Sequence, residues 1–270
     1  MTYTNDLSVG ERRALGFGFG FAFQPIVDLR NRSIFAYEAL VRGLDGEPAH
    51  TILSRLVPHN RRDFDQATRA KAIALASRLF RDSDTRLSIN VDPNSIGSPA
   101  ESLVSTFAAA QTHGFPIHRL IFEITEHEKI DNLDRLRSII DHYRRLGFTS
   151  AVDDFGAGFS GLSTLVAFVP DLIKLDRELV RDIDTSPQRQ AILSGIMMIA
   201  KALRVRVVGE GVETADELAY LIGAGVDLVQ GYYIARPRFG ALPHVDFCAL
   251  PMAIKMPRPK PVVAASHAIN

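Results

Sequence analysis

The chain has 270 residues, of which 46% are hydrophobic and 23% charged, a globular composition that excludes a disordered or collagen-like polymer. Lys plus Arg number 31 and Asp plus Glu number 31, so the formal net charge is zero and no global field favours a nucleic-acid polymer or an anionic membrane. The one cysteine, Cys248, cannot form an internal disulfide, and no Cys-rich zinc spacing is present. The N-terminal stretch Met1–Arg13 has no apolar run of the signal-peptide kind. The greasiest segment, Ile192–Leu203, contains Ser194, Gly195 and Lys201 and is too short to cross a bilayer. A soluble, cytoplasmic protein with no membrane partner is expected.

Taken in chain order, apolar β-branched runs alternate with amphipathic helical stretches. The run Gly16-Phe-Gly-Phe-Gly-Phe-Ala-Phe23 leads into the first strand and places its phenylalanines on one face; a docking surface is the alternative reading. Strands are predicted at Phe21–Val27, Ile34–Val41, Arg86–Val91, Leu120–Thr125, Thr149–Phe155, Leu172–Leu175, Arg204–Val208 and Leu228–Ile234. Helices are predicted at Asp63–Arg81, Glu101–His113, Leu133–Leu146, Gln188–Leu203 and Ala215–Gly223. Only Asp28–Arg32 separates the first two strands, too short for a crossover helix, so that pair is expected to be an antiparallel hairpin. About eight strands with alternating helices match an α/β (β/α)₈ TIM-like barrel, which needs about 250 residues; a doubly wound open sheet stays open on strand count alone. Residues 1–19 read as a lead segment, 20–250 as the domain, and 251–270, rich in Pro, Ala and Lys, as a disordered tail.

In a parallel barrel, chemistry gathers at the C-terminal ends of the strands. Period-two alternation puts Glu38, Leu40 and Arg42 on one face of the second strand, and Ser88, Asn90 and Asp92 on one face of the third. The fourth strand carries Glu123 with Glu126 just beyond, the fifth ends in Asp153-Asp154, and the sixth carries Lys174 and Asp176. Glu210 and Glu213 end the seventh, and Gln230 lies on the eighth. One acid at a strand end caps a loop or faces water, but polar groups at the same end of seven strands share one buried layer, where unpaired charge is costly. Glu38, Glu123, Asp153, Asp154 and Glu210 bring five negative charges, against which Lys174 sets one. Oxygen donors without His or Cys suit Mg²⁺ or Mn²⁺ and argue against zinc. Two ions bridged by Asp153 would fit, an arrangement that activates water against phosphodiesters.

The eight histidines build no competing site; His127-Glu128 lacks the second His of a helical zinc motif, and His113 and His118 flank a loop. Gly156-Ala-Gly158-Phe-Ser-Gly161 matches a dinucleotide fingerprint, but Asp153 and Asp154 immediately before it would repel a pyrophosphate. Asp154-Phe155-Gly156 echoes a kinase motif without the catalytic loop or paired lysine. A glycine-hinged loop over the site explains both.

Together the motifs Gln24-Pro25-Ile26-Val27, Glu38-Ala39-Leu40-Val41-Arg42, Ser88-Ile89-Asn90-Val91, Glu123-Ile124-Thr125-Glu126, Asp153-Asp154-Phe155-Gly156-Ala157-Gly158, Lys174-Leu175-Asp176, Glu210-Gly211-Val212-Glu213-Thr214 and Gln230-Gly231-Tyr232 resemble, in order, the EAL-domain cyclic-di-GMP phosphodiesterase family. The resemblance covers roughly residues 20–245. It implies a barrel with an antiparallel first strand and hydrolysis of cyclic di-GMP to linear pGpG with two Mg²⁺ or Mn²⁺ ions, Ca²⁺ being inhibitory. By the same resemblance Glu38, Asn90, Glu123 and Asp153 would hold one ion, and Asp153, Asp154 and Glu210 the second. Lys174 would position the attacking water, Gln230 would support it, Glu126 would anchor the glycine loop, and Glu213 would be a further supporting acid. Gln24, Leu40 and Arg42 would face the substrate, and Asp65 would reach a guanine. Departures are the Ala157, Phe159 and Gly161 positions of the loop, Gly209 before the Glu-Gly-Val-Glu run, Gly43 after Arg42, and a shortened segment up to Asp63. The run Phe64-Asp65-Gln66…Arg69-Ala-Lys71-Ala-Ile73 is similar to members linked to light-sensing modules. A homodimer and a regulatory partner protein are further expectations. Two other classes stand beside this reading: a catalytically silent cyclic-di-GMP receptor or protein-interaction module, and an unrelated metal-dependent barrel acting on sugar phosphates.

Overall fold

The computed structural model describes residues 15–80, 83–94, 99–125, 133–156 and 161–251. The expectations for Met1–Asp6, for Glu126, for the glycine-loop residues Ala157–Ser160 and for the tail beyond Pro251 lie outside these residues.

Strands β1 (Gly20–Asp28) and β2 (Ser33–Arg42) form the expected hairpin, antiparallel, with Gln24 opposite Glu38. Asp28 builds the turn: its Oδ1 accepts from the amides of Arg30 and Asn31 at 3.1 and 3.0 Å, the local bonding that makes Asp a turn residue. From β2 the sheet runs parallel through β3 (Arg86–Val91), β4 (Leu120–Thr125), β5 (Thr149–Phe155), β6 (Leu172–Leu175), β7 (Arg206–Gly209) and β8 (Leu228–Val229). Antiparallel pairing of β8 with β1, Val27 opposite Val229, closes an eight-stranded barrel. A short strand β9 (Arg238–Phe239) adds to β1 outside the closed ring. Around it lie α1 (Ala49–Leu53), α2 (Arg61–Leu79), α3 (Pro99–His113), α4 (Leu133–Arg145), α5 (Gly161–Ala167), α6 (Arg177–Val180), α7 (Pro187–Leu203) and α8 (Ala215–Gly223). None of these helices is long and apolar enough to cross a membrane.

Several boundaries differ from expectation, most of them by one or two residues, and two of the differences have a structural cause. The seventh strand starts at Arg206 because Arg204 ends α7 in the left-handed conformation, with φ 60°. The eighth stops at Val229 because the chain turns at Gly231, where an added Cβ would lie 2.1 Å from the carbonyl oxygen of Val212. Val212 and Gln230 are bonded there, N–H to O at 3.1 Å, so the backbones of the two motif segments touch, and glycine alone permits that approach.

The apolar core has an inner and an outer layer. Outside the sheet, Phe19, Phe21 and Phe23 are fully buried, and Phe64 and Phe80 pack with them. The Gly-Phe run is therefore core, not a docking surface. Inside the barrel, Ile26, Ala36, Ile121, Ala151, Leu172, Val208 and Leu228 form a plug. Two residues further along each parallel strand, the same inward face carries Glu38, Glu123, Asp153, Lys174, Glu210 and Gln230, and on antiparallel β1, two residues back, Gln24. The plug thus makes a dry floor, and the period of two sets a polar ring directly on it.

Candidate active site

Lys174 is the centre of this ring. It is 1% exposed, and its Nζ lies 2.7 Å from Glu210 Oε1, 2.9 Å from Glu123 Oε2, 3.0 Å from Asp153 Oδ1 and 3.5 Å from Glu38 Oε2. Burial acts against its charge, but Asp153, Glu123, Glu210 and Glu38 outweigh it and hold the ammonium well above the ordinary lysine range. The acids carry the opposite strain. Burial, then repulsion from Glu38 and Asp153, pushes the Glu123 carboxyl well above the carboxylate range against the pull of Lys174 and a hydrogen bond from Ser88. Glu210 is raised in the same way, burial first, with Asp153, Glu38 and Glu123 adding to it and Lys174 opposing. One lysine does not balance this cluster.

Amides and a hydroxyl hold the acids in place. Ser88 Oγ donates to Glu123 Oε1 at 2.6 Å, Asn90 Nδ2 to Glu38 Oε1 at 3.1 Å, and Gln230 Nε2 to Glu38 Oε2 at 2.7 Å. The Gln230 amide also reaches Gln24 Oε1 at 3.2 Å, and Gln24 Nε2 donates to the carbonyl of Ala235 at 3.2 Å. Helix α8 fixes the next loop. Thr214 and Glu217 form a reciprocal capping box, and Glu217 Oε2 also accepts from the amide of Glu213 at 2.8 Å. Burial works against the Glu217 charge, but these backbone N–H bonds prevail and hold its carboxyl below the usual range.

The donor set fits hard divalent cations. Oxygens of Glu38, Glu123 and Asp153 lie within 4.8 Å of one another, as do those of Asp153, Asp154 and Glu210. Asp153 belongs to both groups. Glu123 Oε2 and Asp153 Oδ1 are buried, with the Lys174 ammonium 2.9 and 3.0 Å away. Several buried carboxylate oxygens gathered round one ammonium, in a set without His or Cys, are what Mg²⁺ or Mn²⁺ coordinates.

A cavity of about 240 Å³ opens on this cluster, lined by Gln24, Glu38, Asp153, Asp154, Lys174, Glu210, Glu213 and Gln230, together with Arg177, Gly211, Gly231 and Tyr232. A second cavity of about 290 Å³ lies against α1 and α2 and includes Leu40, Phe64, Asp65, Thr68, Asn90 and Asp92. Asn90 belongs to the first cluster by its bond to Glu38 and to this second wall, so the two spaces adjoin. Asp65 pairs with buried Arg69 at 2.8 Å; burial pushes its carboxyl up to about 6, with Arg69 pulling the other way. Arg42 lines neither space and donates from Nη1 to its neighbour's carbonyl, Val41 O, at 2.7 Å. Asp92 lies outside the polar ring, facing Arg61 at 3.5 Å. Glu213 stands exposed at the rim, paired with Arg177 at 2.9 Å. The sequence motifs included Ser88 and Tyr232 without assigning either a role, and neither Arg177 nor the capping Glu217 was given one.

A family model described as the EAL domain matches residues 12–237. The chain is 31% identical over 225 residues to the blue light- and temperature-regulated antirepressor BluF of Escherichia coli K12, covering 83% of this chain and 56% of that protein. It is 36% identical over 179 residues to the cyclic di-GMP phosphodiesterase RocR of Pseudomonas aeruginosa, covering 63% and 42%. The chain therefore spans about half the length of these curated relatives. Among solved structures, a standalone versatile EAL protein from Vibrio cholerae O395, in its c-di-GMP-bound form, superposes with a TM-score of 0.83 at 44% identity, covering 87% of this chain and 99% of that one. Klebsiella pneumoniae BlrP1, in a manganese/cy-diGMP complex, gives 0.78 at 34% identity, covering 84% and 57%. With the closed barrel, its antiparallel first strand and its inward carboxylates, the chain belongs to the EAL-domain family.

Proposed function

We propose that the domain hydrolyses one phosphodiester of cyclic di-GMP to linear pGpG, using two Mg²⁺ or Mn²⁺ ions. The observation that carries this reading is the pair of carboxylate groups sharing Asp153, each within 4.8 Å. Glu38, Asn90, Glu123 and Asp153 would hold one ion, and Asp153, Asp154 and Glu210 the other. Bound there, the ions supply Lewis-acid charge at the phosphoryl oxygens and lower the pKa of a water molecule. Water oxygen adds to phosphorus as the bond from phosphorus to the 3′-oxygen breaks; one proton of that water ends on the departing 3′-oxygen, and the other stays with the new 5′-phosphate or passes to solvent. Lys174 would donate a hydrogen bond to the attacking oxygen or to charge growing on the phosphoryl group. Gln230 and Gln24 keep Glu38 oriented. Leu40 offers an apolar wall and Asp65 an acceptor for the N–H donors of a guanine. Arg42 turns from Val41 toward a phosphate oxygen, which its fork suits.

A second reading, a silent receptor that binds cyclic di-GMP and acts on a partner, is favoured by one observation: the relative BluF is named an antirepressor. Incubation of the protein with cyclic di-GMP and Mn²⁺ or Mg²⁺, followed by chromatography, separates the two. Appearance of pGpG supports hydrolysis, and dinucleotide that is bound but recovered intact supports the receptor.

A further inference from the structure

Arg177 occupies a place that a surface ion pair does not explain. It is the first residue of α6, three positions after Lys174, and it lines the carboxylate cavity. Its stem crosses Gly211, where an added Cβ would lie 2.4 Å from Arg177 Cγ and 2.7 Å from its Cβ, and Gly211 itself has φ +64°. Its head is held by Glu213 Oε1 at 2.9 Å, and the backbone of Glu213 is held in turn by Glu217 at 2.8 Å. An exposed ion pair contributes little to stability, and glycine in a fixed conformation costs chain entropy. The arrangement returns little as stability. What it achieves is a guanidinium fixed at one position on the rim.

The charge of the cavity says what that cation faces. Its described lining has five carboxylates, Glu38, Asp153, Asp154, Glu210 and Glu213, and two cations, Lys174 and Arg177. Lys174 is buried and surrounded by acids, while the Arg177 side chain is 54% exposed. The bond to Glu213 uses one of five N–H donors, leaving a fork that suits phosphate oxygens.

Resting on the phosphodiesterase reading of this same site, we propose that Arg177 is a substrate-phosphate residue. Its guanidinium donates to a non-bridging phosphate oxygen of the cyclic dinucleotide. Glu213 acts as its positioning residue, and Gly211 provides the path for its stem.

The test is calorimetric titration of cyclic di-GMP into the full chain in Ca²⁺, beside steady-state turnover in Mn²⁺, for wild type, Arg177→Ala, Arg177→Lys, Glu213→Ala and the double alanine variant. Loss of a charged hydrogen bond should raise the Kd of Arg177→Ala about ten- to a hundredfold. Arg177→Lys should recover part of that loss, and affinity in Arg177→Ala should depend less steeply on salt. Glu213→Ala should weaken binding less, and the double variant should be no worse than Arg177→Ala alone. A Kd within twofold of wild type in Arg177→Ala overturns the assignment and leaves hydrolysis standing. A loss that Lys does not relieve and that leaves the salt dependence unchanged is structural and also overturns it. A wild type that neither binds nor hydrolyses cyclic di-GMP removes the phosphodiesterase reading, and this assignment with it.

Discussion

Lys174→Met keeps the length of the side chain and removes its charge, leaving four carboxylates without the ammonium that lies 2.7 to 3.5 Å from each. Breaking a buried pair by removing one partner costs about 3–5 kcal/mol. The four contacts do not cost four times that, because the acids are one coupled cluster and take up protons in place of standing charged. At roughly 2–4 °C per kcal/mol for a chain of this size, the metal-free variant should unfold about 10 °C below wild type near neutral pH. The loss should depend on pH in a defined direction. Glu123 and Glu210 are already raised above the carboxylate range, by burial first. A raised acid contributes stability that is complete below its unfolded value and lost as pH rises through its folded value. Removing the lysine raises these acids further, so the gap between variant and wild type should widen as pH rises above the ordinary carboxylate range. A cation that binds only the folded state adds about 2.7 kcal/mol at a hundred times its Kd, and it replaces the missing charge, so excess Mg²⁺ should narrow the gap. Scanning calorimetry across this pH range, in EDTA and in Mg²⁺, reads all three effects. Equal midpoints in EDTA, or a gap indifferent to both pH and Mg²⁺, would refute the claim that Lys174 offsets part of the cluster's charge and that divalent cations take up the remainder.

Three other outcomes are expected. Glu38→Ala removes an acid held by Asn90 and Gln230 and should lower kcat/KM for cyclic di-GMP about a hundredfold or more; near-normal steady-state rates would overturn the ligand assignment. Ca²⁺ should inhibit, since a larger ion with flexible coordination distorts a compact pair of sites, and turnover in Ca²⁺ equal to that in Mg²⁺ would contradict this. Asp65, raised from 3.8 to about 6 chiefly by burial, contributes stability at low pH that is lost through that value. The stability of Asp65→Asn relative to wild type should therefore rise between about pH 4 and pH 7, by up to roughly 3 kcal/mol. A pH-independent difference in denaturant midpoints would show that the carboxyl is not perturbed.

Much of the site was legible because the barrel converts a local rule into a global one. Alternation by two places Glu123 inward once Ile121 is inward, and Asp153 once Ala151 is. The same rule applied to every strand gathers the ring without knowledge of any contact. The hairpin was equally legible, since five residues cannot cross a sheet. What failed was local wherever a tertiary contact intervened. The apolar run from Leu228 looks like a full strand, yet Gly231 must turn to let its backbone pass Val212. Residues beyond it, such as Ile234, pack into the outer core. The two-residue β9 has no period to detect. Arg177 shows no pattern at all: its position depends on the start of α6 meeting the segment Gly211–Glu213, and the signal available was Gly211 between two acids. Glu213, expected as a further supporting acid, lines the carboxylate cavity at its rim, where it faces Arg177. Arg42 shares the face of Glu38 by alternation, but its guanidinium is turned back on its own strand.

The central claim is that two carboxylate groups sharing Asp153 hold two cations. Anomalous scattering from crystals grown with Mn²⁺ tests it most directly. Two peaks that both contact the Asp153 carboxylate, one toward Glu38 and Glu123 and the other toward Asp154 and Glu210, are the predicted result. A single peak, or Mn²⁺ bound elsewhere while this cluster holds none at saturating metal, would contradict the account.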